Sequence, residues 1–143
     1  MKNVLLFEPS GKPEETIPLA CMIGQQLQWF QPQAVKNNSF IINDVPTDFK
    51  VTANKNLLAV VIYNLFDSIV RKTSNSCIRA TVNRFGSTVL LRVTNAADAY
   101  QQIFDLNDLA PIAKQLGGWI TTSKASPKNL TVAFSFQSAD NAA

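Results

Sequence analysis

The residues of this chain best suited to chemistry gather on one stretch, YNLFDSIVRKT (63–73). Asn64 and Ser68 stand one helical turn apart, so an amide and a hydroxyl face the same cleft. Arg71 and Lys72 follow at the end of the stretch. They serve either to dock an acidic partner or to complement the negative end of a helix dipole. Trp29 and Phe30 form a second aromatic feature. Phe30 suits a core, and Trp29 divides evenly between core packing and an exposed anchor for a partner. Asp98, Asp105 and Asp108 are spread over a loop and a helix start, which suits capping and solvation better than a metal cluster.

One absence excludes several mechanisms. The chain has no histidine, which removes Ser-His-Asp and Cys-His catalysis, histidine-ligated zinc and a phosphohistidine carried on this chain. Cys21 and Cys77 lie in apolar surroundings without CxxC spacing and read as buried free thiols in a reducing compartment. With 143 residues and a formal charge of +3, the chain reads as one domain able to bury a core. Its scattered Lys and Arg form no stripe, so no nucleic-acid partner is expected. The opening MKNVLLFEPSGK has an apolar run too short for a signal peptide. No segment approaches a membrane span, so the expected location is the cytoplasm.

The elements that must position these residues follow from periodicity. Val4–Phe7 reads as a short strand ended by Pro9-Ser10-Gly11. Residues 14–30 read as a helix with Glu14 and Glu15 at its start and Pro18 near its first turn. Pro32 is expected to end or kink it, leaving 33–36 as an extra turn. SFIINDV (39–45) and FKVT (49–52) read as strands joined by Pro46-Thr47-Asp48. Asn54 suits the N-cap of a helix over 55–73, with Leu58, Ile62, Leu65 and Ile69 on its inner face. CIRATVNRF (77–85) and TVLLRVTNA (88–96) alternate around Gly86-Ser87 and predict a hairpin. DLNDLAPIAKQL (105–116) reads as a helix interrupted by Pro111 and ended by Gly117-Gly118. WITTSKA (119–125) and NLTVAFSF (129–136) form a last hairpin. Strand pairs separated by helices argue for an α+β two-layer sandwich, a mixed sheet with three helices on one face.

This order resembles the ATP-binding domain of histidine kinases, a fold shared with gyrase, the Hsp90 chaperones and MutL. The resemblance spans 14–136, with 1–13 as a lead-in and 137–143 as a frayed tail. Phe30, Pro32 and Lys36 match the end of the family's first helix, and 54–73 resembles the helix that carries its N box. LAPIAKQLGGWITTSKASPKNLTVAFSF (109–136) resembles the final helix, Gly-Gly turn and strand pair.

The resemblance implies a nucleotide pocket at Asn64, Ser68, Arg71, Lys72 and Asn95, each of which can be compared with the family pattern. Ser68 stands where an asparagine ligates magnesium. Asn64 matches the polar residue one turn earlier, and Ile69 replaces a small alanine beside the nucleotide. Asn95, in VTNAADAY, falls on the aspartate that reads adenine, and loses the charge that strengthens such a bond. None of the five glycines, Gly11, Gly24, Gly86, Gly117 and Gly118, lies between Asn95 and Leu116. The family's glycine-bearing lid, whose N–H groups cradle phosphates, has no counterpart there.

The expectation is a pseudo-ATPase domain akin to the ATPase-like domain of two-component histidine phosphotransferases. It would have no cofactor and would act by binding a response regulator or kinase, with Trp29, Arg71 and Lys72 as docking candidates and a monomer or weak dimer as its state. The alternative is a small ATP-binding kinase or ATPase with relaxed motifs, using ATP and magnesium.

Overall fold

The computed structural model describes residues 14–95, 106–126 and 129–139, with the side chains of 107, 124–126 and 129 left aside. The strand expected over Val4–Phe7 lies outside the described residues, as do Asp98 and Asp105. The elements are β1 (Glu15–Pro18), α1 (Leu19–Lys36), β2 (Phe40–Asn43), β3 (Lys50–Ala53), α2 (Lys55–Arg71), β4 (Cys77–Phe85) and β5 (Thr88–Asn95). A 3-10 turn (Asn107–Leu109), α3 (Ala110–Gln115), β6 (Trp119–Ser126) and β7 (Asn129–Gln137) complete them.

The architecture is the expected α+β sandwich. Five strands form a mixed sheet in the order β2-β4-β5-β7-β6, and β1 and β3 form a separate two-stranded sheet. Strand alternation builds the core. Val89, Leu91 and Val93 of β5 are buried together with Ile78 and Ala80 of β4 and Val132, Phe134 and Phe136 of β7. Antiparallel registers Ala80↔Val93 and Val93↔Val132 put these side chains on one face. Against that face α2 packs Leu58, Val61, Ile62, Leu65, Phe66, Ile69 and Val70, all buried. Among the described residues, no helix is long and apolar enough to cross a membrane.

Four boundaries differ from the sequence reading, each for a physical reason. Residues 15–18 are a strand rather than the first helical turn. The residue before a proline is pushed out of the α region, so the helix starts only after Pro18, and Ile17 pairs with Val51 instead. Pro32 neither ends α1 nor shortens it, for the helix runs on to Lys36. Phe30 and Ala34 are buried on either side of Pro32, and their packing outweighs the ~3 kcal/mol a mid-helix proline costs. Both expected strands form, at 40–43 and 50–53, but they do not pair with each other. β2 runs parallel to β4 with α2 as the crossover, while β3 joins β1. Pro111 opens α3 rather than interrupting it, because its missing N–H is unneeded in the first turn.

Of the segment 137–143 expected to fray, 137–139 is hydrogen-bonded into the fold. Gln137 N donates to Leu116 O at 2.9 Å, Ser138 N to Ser87 O at 2.8 Å and Ala139 N to Thr52 O at 2.8 Å. Residues 140–143 lie outside the described residues.

The Gly117-Gly118 turn sets how α3 meets the sheet. Gly117 has φ +82, and a Cβ at Gly118 would sit 1.7 Å from the Ser135 carbonyl oxygen. Backbone cannot yield as a flexible side chain can, so close packing demands glycine there. Gly118→Ala should therefore destabilise the domain by about 2 kcal/mol or more, read as a lower urea midpoint with unchanged slope.

Candidate functional site

The site begins with the phase of α2. Leu57 N donates to Asn54 Oδ1 at 3.1 Å, so the expected N-cap is made and fixes where the helix starts. From that start Asn64 and Ser68 fall one turn apart on the same flank. Asn64 is exposed and its Nδ2 donates back to Val60 O of its own helix at 2.8 Å. Ser68 is half-buried. Ile69, which the resemblance sets beside a nucleotide, is 1% exposed and packs into the core.

Asn95 ends β5, paired with Ile78 on one side and Leu130 on the other. It is 2% exposed, and its Nδ2 donates to Thr73 Oγ1 at 3.0 Å. Thr73, just past α2, is equally buried. A neutral amide can be buried here because its hydrogen bonds are met, whereas an isolated carboxylate would cost far more. The end of β5 and the end of α2 are thus joined through side chains.

The side of α2 that carries Ala59, Tyr63 and Val70 faces α1. The two helices run parallel: Gln26 Nε2 donates to Ala59 O at 3.2 Å, and Asn37 Nδ2 to Val70 O at 3.1 Å. Between these points the Phe30 and Tyr63 rings meet at 5.1 Å. Outside the contact lies an open groove of ≈ 430 Å³ lined by Trp29, Phe30, Gln33, Tyr63, Asp67 and Arg71, among others. Trp29 is 75% exposed, which resolves its even choice in favour of the surface. Arg71 Nε donates to Asp67 Oδ1 at 2.9 Å. That hydrogen bond, with the charge of Asp67, raises the Arg71 pKa above its ordinary value. The pair is solvent-exposed and contributes little to stability.

Asn64 and Arg71 are seven residues apart on α2 and so lie near one line along the helix, two turns apart. Ser68 follows Asn64 by one turn, Arg71 lines the groove beside α1, Asn95 is interior, and Lys72 is exposed at the C-cap. Of the docking candidates, Trp29 and Arg71 line the same groove. Sequence reasoning passed over Tyr63 and Asp67, although Tyr63, Asp67 and Arg71 follow at successive turns and signal a stripe. Asp108 is exposed, and the described residues hold no group of three His, Cys, Asp or Glu side chains able to bind a metal.

Comparison with solved structures decides the fold. The histidine kinase AdeS of Acinetobacter baumannii superposes with a TM-score of 0.76 at 13% identity, over 90% of this chain and 69% of that one. The chain has the fold of a histidine kinase catalytic domain. The catalytic domain of the histidine kinase ThkA matches with a TM-score of 0.72 at 18% identity, over 87% of this chain and 97% of that domain. ThkA in complex with the response regulator protein TrrA matches with a TM-score of 0.72 at 18% identity, over 88% of this chain and 42% of that one. No protein-family model matches the chain, and no curated protein matches it by sequence.

Because the Asn95 amide is buried, removing the Thr73 hydroxyl takes away an interior hydrogen bond. Thr73→Val should lower stability by about 1–3 kcal/mol in chemical denaturation, although the two side chains are nearly the same size.

Proposed function

We propose that this domain is a pseudo-ATPase that works as a protein-binding module in two-component-like signalling and neither hydrolyses ATP nor transfers phosphate. The observation that carries the reading is the inward commitment of Asn95. At the position where the resemblance places the aspartate that reads adenine, this chain has an uncharged amide that is 2% exposed and donates to Thr73. Two departures in sequence add to it. Ser68 replaces the magnesium-binding asparagine, and no glycine lies between Asn95 and Leu116. A site whose sequence lacks the glycine-bearing loop, the metal-binding asparagine and the charged adenine acceptor has no strong hold on a triphosphate.

The partner class is a response regulator or a kinase, supported by the ThkA complex with TrrA. The chain has no histidine to carry a phosphoryl group. Its part in such a pathway is to dock, block or scaffold, in the cytoplasm, as a monomer or weak dimer, with no cofactor. A small ATP-dependent kinase or ATPase with relaxed motifs is the competing reading, supported by the fold alone.

A thermal-shift titration with Mg-ATP and with ADP separates the two. A ligand present at a hundred times its Kd stabilises by about 2.7 kcal/mol. The expected result is a flat melting temperature at millimolar nucleotide. A saturable, magnesium-dependent rise, weakened by Ser68→Ala, would establish the competing reading.

A further inference from the structure

We infer that the Gln31 side chain guards the free edge of the five-stranded sheet, an autoinhibitory contact that keeps β2 from pairing with β2 of a second copy of this chain. Among the described residues β2 ends that sheet, with β4 on one side only. A strand at a sheet edge presents a row of backbone N–H and C=O groups with which another chain can pair. The residues here suit such pairing. NNSFIIN (37–43) has no charge, no proline and no glycine, and its centre is aromatic and β-branched. Phe40, on the sheet face opposite the core, is 53% exposed.

The bonding pattern shows which groups are at stake. In a strand the N–H and C=O of one residue point to the same side, and those of the next residue to the other. Phe40 N donates to Ser76 O at 3.2 Å and Asp44 N to Ala80 O at 2.9 Å, so the even-numbered positions face β4. The odd-numbered positions face outward, and Ile41 is the middle one. One side chain of α1 takes both of its groups. Gln31 Nε2 donates to Ile41 O at 3.1 Å, and Ile41 N donates to Gln31 Oε1 at 3.3 Å. A primary amide used in this way supplies what a neighbouring strand would, one donor and one acceptor. Two residues earlier the Ser39 N–H is also held by α1, donating to Ala34 O at 2.8 Å. With these positions filled, an incoming strand has no central pair to make. The excluded strand is a second β2, because a two-fold pairing about Ile41 lays the uncharged FIIN against itself with no like charges to oppose it.

The test compares the wild-type chain with Gln31→Leu, which keeps a good helix former of comparable size and loses both hydrogen bonds. Sedimentation velocity over a concentration series reads association, and amide hydrogen exchange reads Ile41. Gln31→Leu is expected to associate, with native circular dichroism, at concentrations at which the wild type does not. The Ile41 N–H, slow to exchange in the wild type, should exchange about tenfold faster in the variant when it is too dilute to pair. Adding Phe40→Lys to Gln31→Leu should restore wild-type sedimentation, since a lysine on an edge strand blocks pairing but does not refold an unfolded chain. A folded Gln31→Leu that sediments as the wild type does would overturn the assignment. So would association that Phe40→Lys leaves in place, or a wild-type Ile41 N–H that exchanges as fast as an unprotected amide.

Discussion

The hydrogen bond from Asn95 to Thr73 constrains the fold and its chemistry together. It lies where the middle of the sheet meets the end of its longest-packed helix, with both side chains 2% exposed. Buried polar groups are costly unless paired, and paired ones fix geometry. By joining β5 to the residue just past α2, the bond ties the helix layer to the sheet. Burial of the amide also leaves little of it exposed to a ligand.

A second set of amides seals the neighbouring corner. Asn75 N donates to Asn37 O at 3.0 Å, and Asn38 Nδ2 donates to Asn75 Oδ1 at 2.6 Å. Asn38 and Asn75 hold positive φ of 60 and 53, a conformation asparagine tolerates better than most residues. Together with Asn37 on Val70 O, these bonds lock the C-terminal ends of α1 and α2 side by side. The aromatic groove lies along the outer surface beside this corner, with Asn37 and Val70 in its lining.

Much of this fold was legible because the signals were local. Alternation gave β4 and β5 around Gly86, the cap at Asn54 gave the start of α2, and its apolar stripe gave the buried face. Pairing was not local. Nothing in SFIINDV and FKVT distinguishes a hairpin from two strands in different sheets, since the choice is made by α2 crossing over to lay β4 beside β2. Pro18 was legible in principle, because the residue before a proline leaves the helix, but the apolar periodicity running through it concealed the strand. Pro32 shows the reverse case, in which tertiary burial of Phe30 and Ala34 overrides a local breaker. At the site, residue types at Ser68 and Asn95 could be compared with a family pattern. That Asn95 points inward to Thr73, and that Arg71 faces α1, depends on which flank of the helix each element covers.

The most direct test of the central claim is a crystal structure of the domain grown with magnesium and a non-hydrolysable ATP analogue in excess. The account predicts no ordered nucleotide beside α2, with the Asn95 amide still on Thr73. Ordered γ-phosphate density at Asn64 and Ser68, with Asn95 turned toward an adenine ring, would contradict it.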